Sequence, residues 1–196
     1  MVNTHATNST HNPLEYVENF LIDKLNENTI EILKYFENNK QEIIDDFLLH
    51  FLKLCRLVYK EQAIGFKAPI AYMHIGFLRS SLLTKSYEFR LGMHDENFWL
   101  DTDDTSVYWK ADFFFQYVEP DTETMQQMVK PYPHISEYEV YEISYRYAQC
   151  YLIPATRQII QDIMIEVFKI PELNYLKLDK NLSIVFGGYM EGGNNI

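Results

Sequence analysis

Ser86-Tyr87-Glu88-Phe89-Arg90-Leu91-Gly92 sets large apolar side chains at every second position against charged ones, the pattern of a strand with one buried and one polar face. It introduces a sheet into a chain whose earlier residues follow helical periodicity, and so predicts an α+β fold. Beyond it, His94-Asp95-Glu96-Asn97 reads as a polar turn and Phe98-Trp99-Leu100 as the returning strand. After the loop Asp101-Thr102-Asp103-Asp104, residues 106–118 are rich in strand-favouring aromatics and read as a third strand. The expected sheet is small and antiparallel.

Upstream, Pro69 opens a segment running to about Leu83 that is assigned to helix, although Ile70-Ala71-Tyr72-Met73-His74-Ile75 is short and apolar enough to be a buried strand. Asn12-Pro13-Leu14-Glu15 and Asn28-Thr29-Ile30-Glu31 each carry the residues of a capped helix start. They predict two helices, the second ending near Asn38-Asn39. A third, from Gln41 to about Gln62, places Ile43, Ile44, Phe47, Phe51, Leu54 and Val58 at helical spacing and is expected at the centre of the fold.

Downstream, Glu119-Pro120-Asp121 breaks the third strand and a short helix follows over residues 122–129. Ser136-Glu137-Tyr138-Glu139 is a capping box that opens a long Tyr-rich helical region, interrupted or restarted at Pro154 and ended by Pro171. Residues 176–178 and 182–186, on either side of Asp179-Lys180-Asn181, predict a closing β-hairpin. Residues 1–11 form a polar, disordered lead-in, residues 12–190 a single α+β domain, and residues 191–196 a frayed tail.

The 196 residues are 47% hydrophobic, ample for a core without disulfide staples. Cys55 and Cys150 lack the density of a disulfide framework and the spacing of a zinc site, so free thiols in a reducing cytoplasm are expected. A net charge of −11 opposes general affinity for nucleic acid and for anionic membrane surfaces, and favours a basic protein partner. Self-association is left open. No nucleotide-binding glycine motif, serine-hydrolase elbow or zinc-protease motif is present, and no cofactor is assigned.

Charge and aromatics concentrate between Asp95 and Thr124, where nine acidic residues accompany Lys110 and eight aromatics. Carboxylates at Asp95, Glu96, Asp101, Asp103 and Asp104 are donors of the kind calcium takes, but they lack EF-hand spacing, and no metal is assigned. Aromatic anchors ringed by charge suit protein recognition. The leading expectation is therefore a cytosolic, acidic protein-binding module of the inhibitor, immunity or accessory-subunit kind. It would present Trp99, Asp101, Asp103, Asp104, Tyr108 and Trp109 to a basic partner.

The alternative is a small enzyme or ligand-binding protein whose pocket gathers His74, His94, Glu96, Arg79 and Arg90 against an aromatic wall. These residue types supply proton exchange and anion recognition, provided the fold brings them to one site. Exposed tryptophans beside the carboxylates would favour the module. Buried tryptophans, with His74 and His94 converging, would favour the pocket.

Overall fold

The computed structural model describes residues 13–101, 105–189 and 193–195. The lead-in and Asn12, together with Asp103 and Asp104 of the acidic loop, lie outside the described residues.

A single helical element, α1 (Pro13–Ala63), replaces the three expected helices. Its one irregularity is at Asn39, with φ −123° and ψ 20°, where the side-chain amide donates to the Tyr35 carbonyl at 2.8 Å and competes with the helical ladder. The predicted stop near Asn38-Asn39 is thus a kink. No helix starts at Asn28, because its side chain is buried and donates to Asp121 at 2.8 Å and to the Tyr147 hydroxyl at 2.6 Å instead of capping its own backbone.

The segment after Pro69 is a strand, β1 (Ile70–Phe77), with only its end turning into the short helix α2 (Arg79–Leu83). Met73, Ile75 and Phe77 enter the hydrophobic core, while Tyr72, His74 and Gly76 point to the opposite side. Both faces are covered, so the strand reads as a nearly continuous apolar run and hides its period of two. β2 (Glu88–His94) pairs antiparallel with β1, in agreement with the alternation at residues 86–92.

β3 (Thr105–Lys110) completes this antiparallel group, but it is shorter than expected. Phe98-Trp99-Leu100 is a 3-10 turn rather than a strand. Phe113-Phe114-Phe115 belongs to α3 (Asp112–Phe115), and Pro120 lies in the first turn of α4 (Val118–Val129), where it forfeits no helical hydrogen bond. The Ser136/Glu139 capping box opens α5 (Glu137–Val167), which runs through Pro154 as one element.

The hairpin expected within residues 176–186 does not form. β4 (Leu178–Gly188) is one strand lying parallel to β1, and the short β5 (Gly193–Asn195) pairs antiparallel with it. Leu178 faces Ile70 and Ser183 faces Tyr72, so the Asp179-Lys180-Asn181 stretch bulges outward where a reversal was expected. The sheet order is β3-β2-β1-β4-β5, mixed rather than purely antiparallel. Gln62 ties its centre to the end of α1: the side chain donates to the Ala68 and Lys177 carbonyls and accepts from the Lys177 N–H at 2.7 Å.

One sheet face packs on the helices, α1 against β2 and β3 and α5 against β4. Its core includes Phe47, Phe51, Met73, Ile75, Phe77, Phe89, Leu91, Trp109, Ile160 and Phe186. The other face carries the polar residues of β1 and β2.

Candidate functional site

His74 on β1 and Arg90 and His94 on β2 share that second face. Register explains why. Tyr72 pairs with His94, His74 with Gly92, and Gly76 with Arg90, so the three long side chains alternate with two glycines across adjacent strands. A Cβ on Gly76 would collide with the His74 ring, and a Cβ on Gly92 would stand 2.8 Å from both Arg90 Nη1 and His94 Nε2. The side chains therefore lie flat over the glycines, and the polar atoms of Arg90 and His94 crowd around one point above Gly92. Larger residues at 76 and 92 would fill that space.

The cluster is deeply enclosed, with His74, Arg90 and His94 only 1%, 2% and 3% exposed. Aromatic rings wall it. The Phe98 ring stands 4.6 Å from Tyr72, 5.9 Å from His74 and 5.5 Å from His94, and the two imidazoles are 6.4 Å apart. Tyr189 follows β4, its ring 6.5 Å from His74 and beneath the Arg90 guanidinium at 4.7 Å, within cation–π range.

Burial dictates the electrostatics. It pushes the His74 imidazole down to about 3, and the neighbouring His94 and Arg90 push the same way. His94 falls to about 4 through burial, then Arg90 and Lys67, against the opposing pull of Asp101 and Asp95. Burial also lowers Arg90, partly offset by Tyr189 and Tyr108. At neutral pH the site holds two uncharged imidazoles and one guanidinium.

Beside it lies a buried ion pair. Lys67 Nζ reaches Asp101 Oδ2 at 2.6 Å, both side chains are almost fully enclosed, and the same oxygen accepts from the Asp95 N–H at 3.0 Å and stands 3.8 Å from His94 Nδ1.

Of the pocket candidates, His74, His94 and Arg90 come together. Glu96 is exposed in the turn after β2. Arg79, at the start of α2, is paired with Glu142 and lies 4.7 Å from the Tyr145 ring, so it serves the contact with α5. The proposed partner surface is dispersed. Trp109 is 1% exposed, meets Phe47 edge-on at 4.9 Å and donates to Asp46 at 2.8 Å, which makes it a core residue. Asp101 is committed to Lys67, whereas Tyr108 is exposed on the edge strand β3. Asp103, Asp104 and the side chain of Trp99 lie outside the described residues.

Sequence reasoning did not find Tyr72, Phe98, Tyr189, Lys67 or the two glycines. A signal existed in His74-Ile75-Gly76 and Arg90-Leu91-Gly92-Met93-His94, where glycine and polar residues alternate on one side of two strands. Among the described residues no three His, Cys, Asp or Glu side chains form a group that could hold a metal ion, and no helix is long and apolar enough to cross a membrane. Comparison with protein-family models, with curated proteins and with solved structures finds no match to this chain.

Proposed function

We propose that this protein binds a small organic anion on the enclosed face of its sheet, at His74, Arg90 and His94. The observation that carries the reading is the convergence of these three side chains over Gly76 and Gly92. A guanidinium offers a planar fork of donors matched to a carboxylate or phosphate, and each neutral imidazole adds one N–H. Aromatic walls at Tyr72, Phe98 and Tyr189 suit the apolar part of such a molecule.

Binding is favoured over acid–base catalysis because the two histidines titrate near 3 and 4, too low for a general base poised at neutral pH. Thermal unfolding in the presence of acetate, benzoate or inorganic phosphate tests the proposal. The midpoint is expected to rise with at least one of them in the wild type and to stay fixed in R90Q, with R90K separating loss of the fork from loss of charge. Equal responses of wild type and R90Q would sink it.

A second reading, recognition of a basic protein, is favoured by the exposure of Tyr108 on the edge strand and by the net charge of −11. It predicts salt-sensitive capture of a basic partner that is slowed by charge reversal at Asp103 and Asp104. Capture indifferent to salt and to both substitutions would remove it.

A further inference from the structure

Anion binding at His74, Arg90 and His94 requires a way in, because all three are enclosed. The cover that bears on the two imidazoles is the loop of residues 95–101. Its base is fixed at both ends by one carboxylate: Asp101 Oδ2 accepts from the Asp95 N–H at 3.0 Å and from Lys67 Nζ at 2.6 Å. Its tip is held to that base by local bonds, the Asn97 N–H and side-chain amide donating to the Asp95 carboxylate at 2.8 and 3.2 Å and the Phe98 N–H to the Asp95 carbonyl at 3.2 Å, while Glu96 and Asn97 are exposed and Leu100 is 83% exposed. Phe98 turns inward, in the slot between Tyr72, His74 and His94.

Two features mark that ring as a space-filler that can leave. Phe98 adopts φ +51°, a left-handed backbone conformation that is strained for a bulky residue and persists only where its surroundings compensate. Its slot is lined by planar groups, a phenol and two imidazoles, so what it holds is a flat ring. Arg90 and the slot adjoin the same residue, His94, with Arg90 Nη1 near His94 Nε2 above Gly92 and the Phe98 ring meeting the His94 imidazole edge-on.

We propose that Phe98 is a displaceable plug, and that the ligand is an acid bearing a planar ring, which takes the Phe98 slot while its anionic group meets Arg90. The proposal rests on the anion-binding reading and adds the chemical class of the ligand and the route of entry. The base of the loop stays latched while its tip swings out. A ligand must compete with the plug, so its apparent affinity is lowered by the fraction of time the slot is filled.

Benzoate and acetate serve as probes for calorimetry on wild type, F98A and R90Q, alongside modification of histidines by diethyl pyrocarbonate with exposed His134 as internal reference. Wild type is expected to prefer benzoate over acetate, and F98A to bind benzoate roughly tenfold more tightly once competition is removed. His74 and His94 should react more slowly than His134 in wild type and speed up in F98A. F98L, whose smaller side chain leaves part of the slot empty, gives the same comparisons should F98A fold poorly. Binding that depends on Arg90 but shows no benzoate preference, with F98A and F98L unchanged in affinity and reactivity, overturns the plug and leaves anion binding standing. Absence of any Arg90-dependent binding in every variant overturns both, while the modification rates still report whether Phe98 covers the histidines.

Discussion

Gly76 and Gly92 are the residues on which the site most directly depends, because the His74 ring and the Arg90 and His94 side chains occupy the space their Cβ atoms would need. Overpacking of this kind costs about 1–3 kcal/mol, so G76A and G92A should each lower the urea midpoint, and G92A should also weaken anion binding by displacing two of the three groups. Unfolding curves that overlay those of the wild type would show that the side chains find another place. The histidines make a second, independent prediction. Both are held below the ordinary value of 6.5, so between that pH and about 4 the unfolded chain takes up protons that the native state refuses. Stability is therefore full above about pH 6.5 and declines as pH falls, by up to about 1.4 kcal/mol per pH unit for each imidazole. Denaturant titrations between pH 7 and 5 should show that decline in the wild type and a flatter profile in the H74Q/H94Q double variant; equal slopes would contradict the assigned protonation states. Cys55 behaves oppositely, since burial pushes its thiol up to about 12, and it has no nucleophilic character at neutral pH.

Among the elements, α1 is joined to the rest of the molecule by several polar side chains, two of them, Asn28 and Gln62, far apart along it. In its first third Asn28 meets Asp121 of α4 and Tyr147 of α5, whose hydroxyl donates to Asp121 at 2.6 Å and is raised above its ordinary value by burial and by that carboxylate. Near its end Gln62 holds the backbone at Ala68 and Lys177, fixing where β1 and β4 begin. Truncating either leaves buried polar atoms without these partners, at about 1–3 kcal/mol each. N28A and Q62A should accordingly be destabilised by comparable amounts, measured by chemical denaturation. Their effects should add in the double variant, since the two sites share no partner. Strong coupling between them would mean that α1 transmits strain along its length. These contacts also explain two misread elements. Asn28 carries the chemistry of a helix cap and Asn181 that of a turn, and each rule is sound locally. Partners more than ninety residues away in sequence override the first, and parallel pairing with β1 overrides the second.

For the molecule as a whole, the pairing of β1 with β4 is the decisive long-range contact, because it makes β1 a central strand and joins a late strand of the chain to its middle. A chain ending at Lys177 would lose β4 and leave one edge of β1 and part of the second face uncovered. It is expected to lose cooperative unfolding by circular dichroism, whereas a sharp transition at the wild-type midpoint would show that β4 is dispensable. The same distant pairing predicts folding slower than that of a helical bundle of this size. Local chemistry was enough to place β2, the main helical stretches, an irregularity near Asn39 (read as a helix end), the Ser136 capping box and the α+β class, since each depends on side-chain periodicity or on partners within four residues. His74, His94 and Arg90 were legible as candidates by residue type, but not as a group apart from Arg79 and Glu96, because only register places residues of neighbouring strands side by side. The identity of β1 as a strand, the parallel course of β4, the burial of Trp109 and the inward turn of Phe98 were decided by the tertiary structure. Each depends on which surface is covered by a distant part of the chain, a quantity set by packing between elements and absent from the order of residues within any one of them.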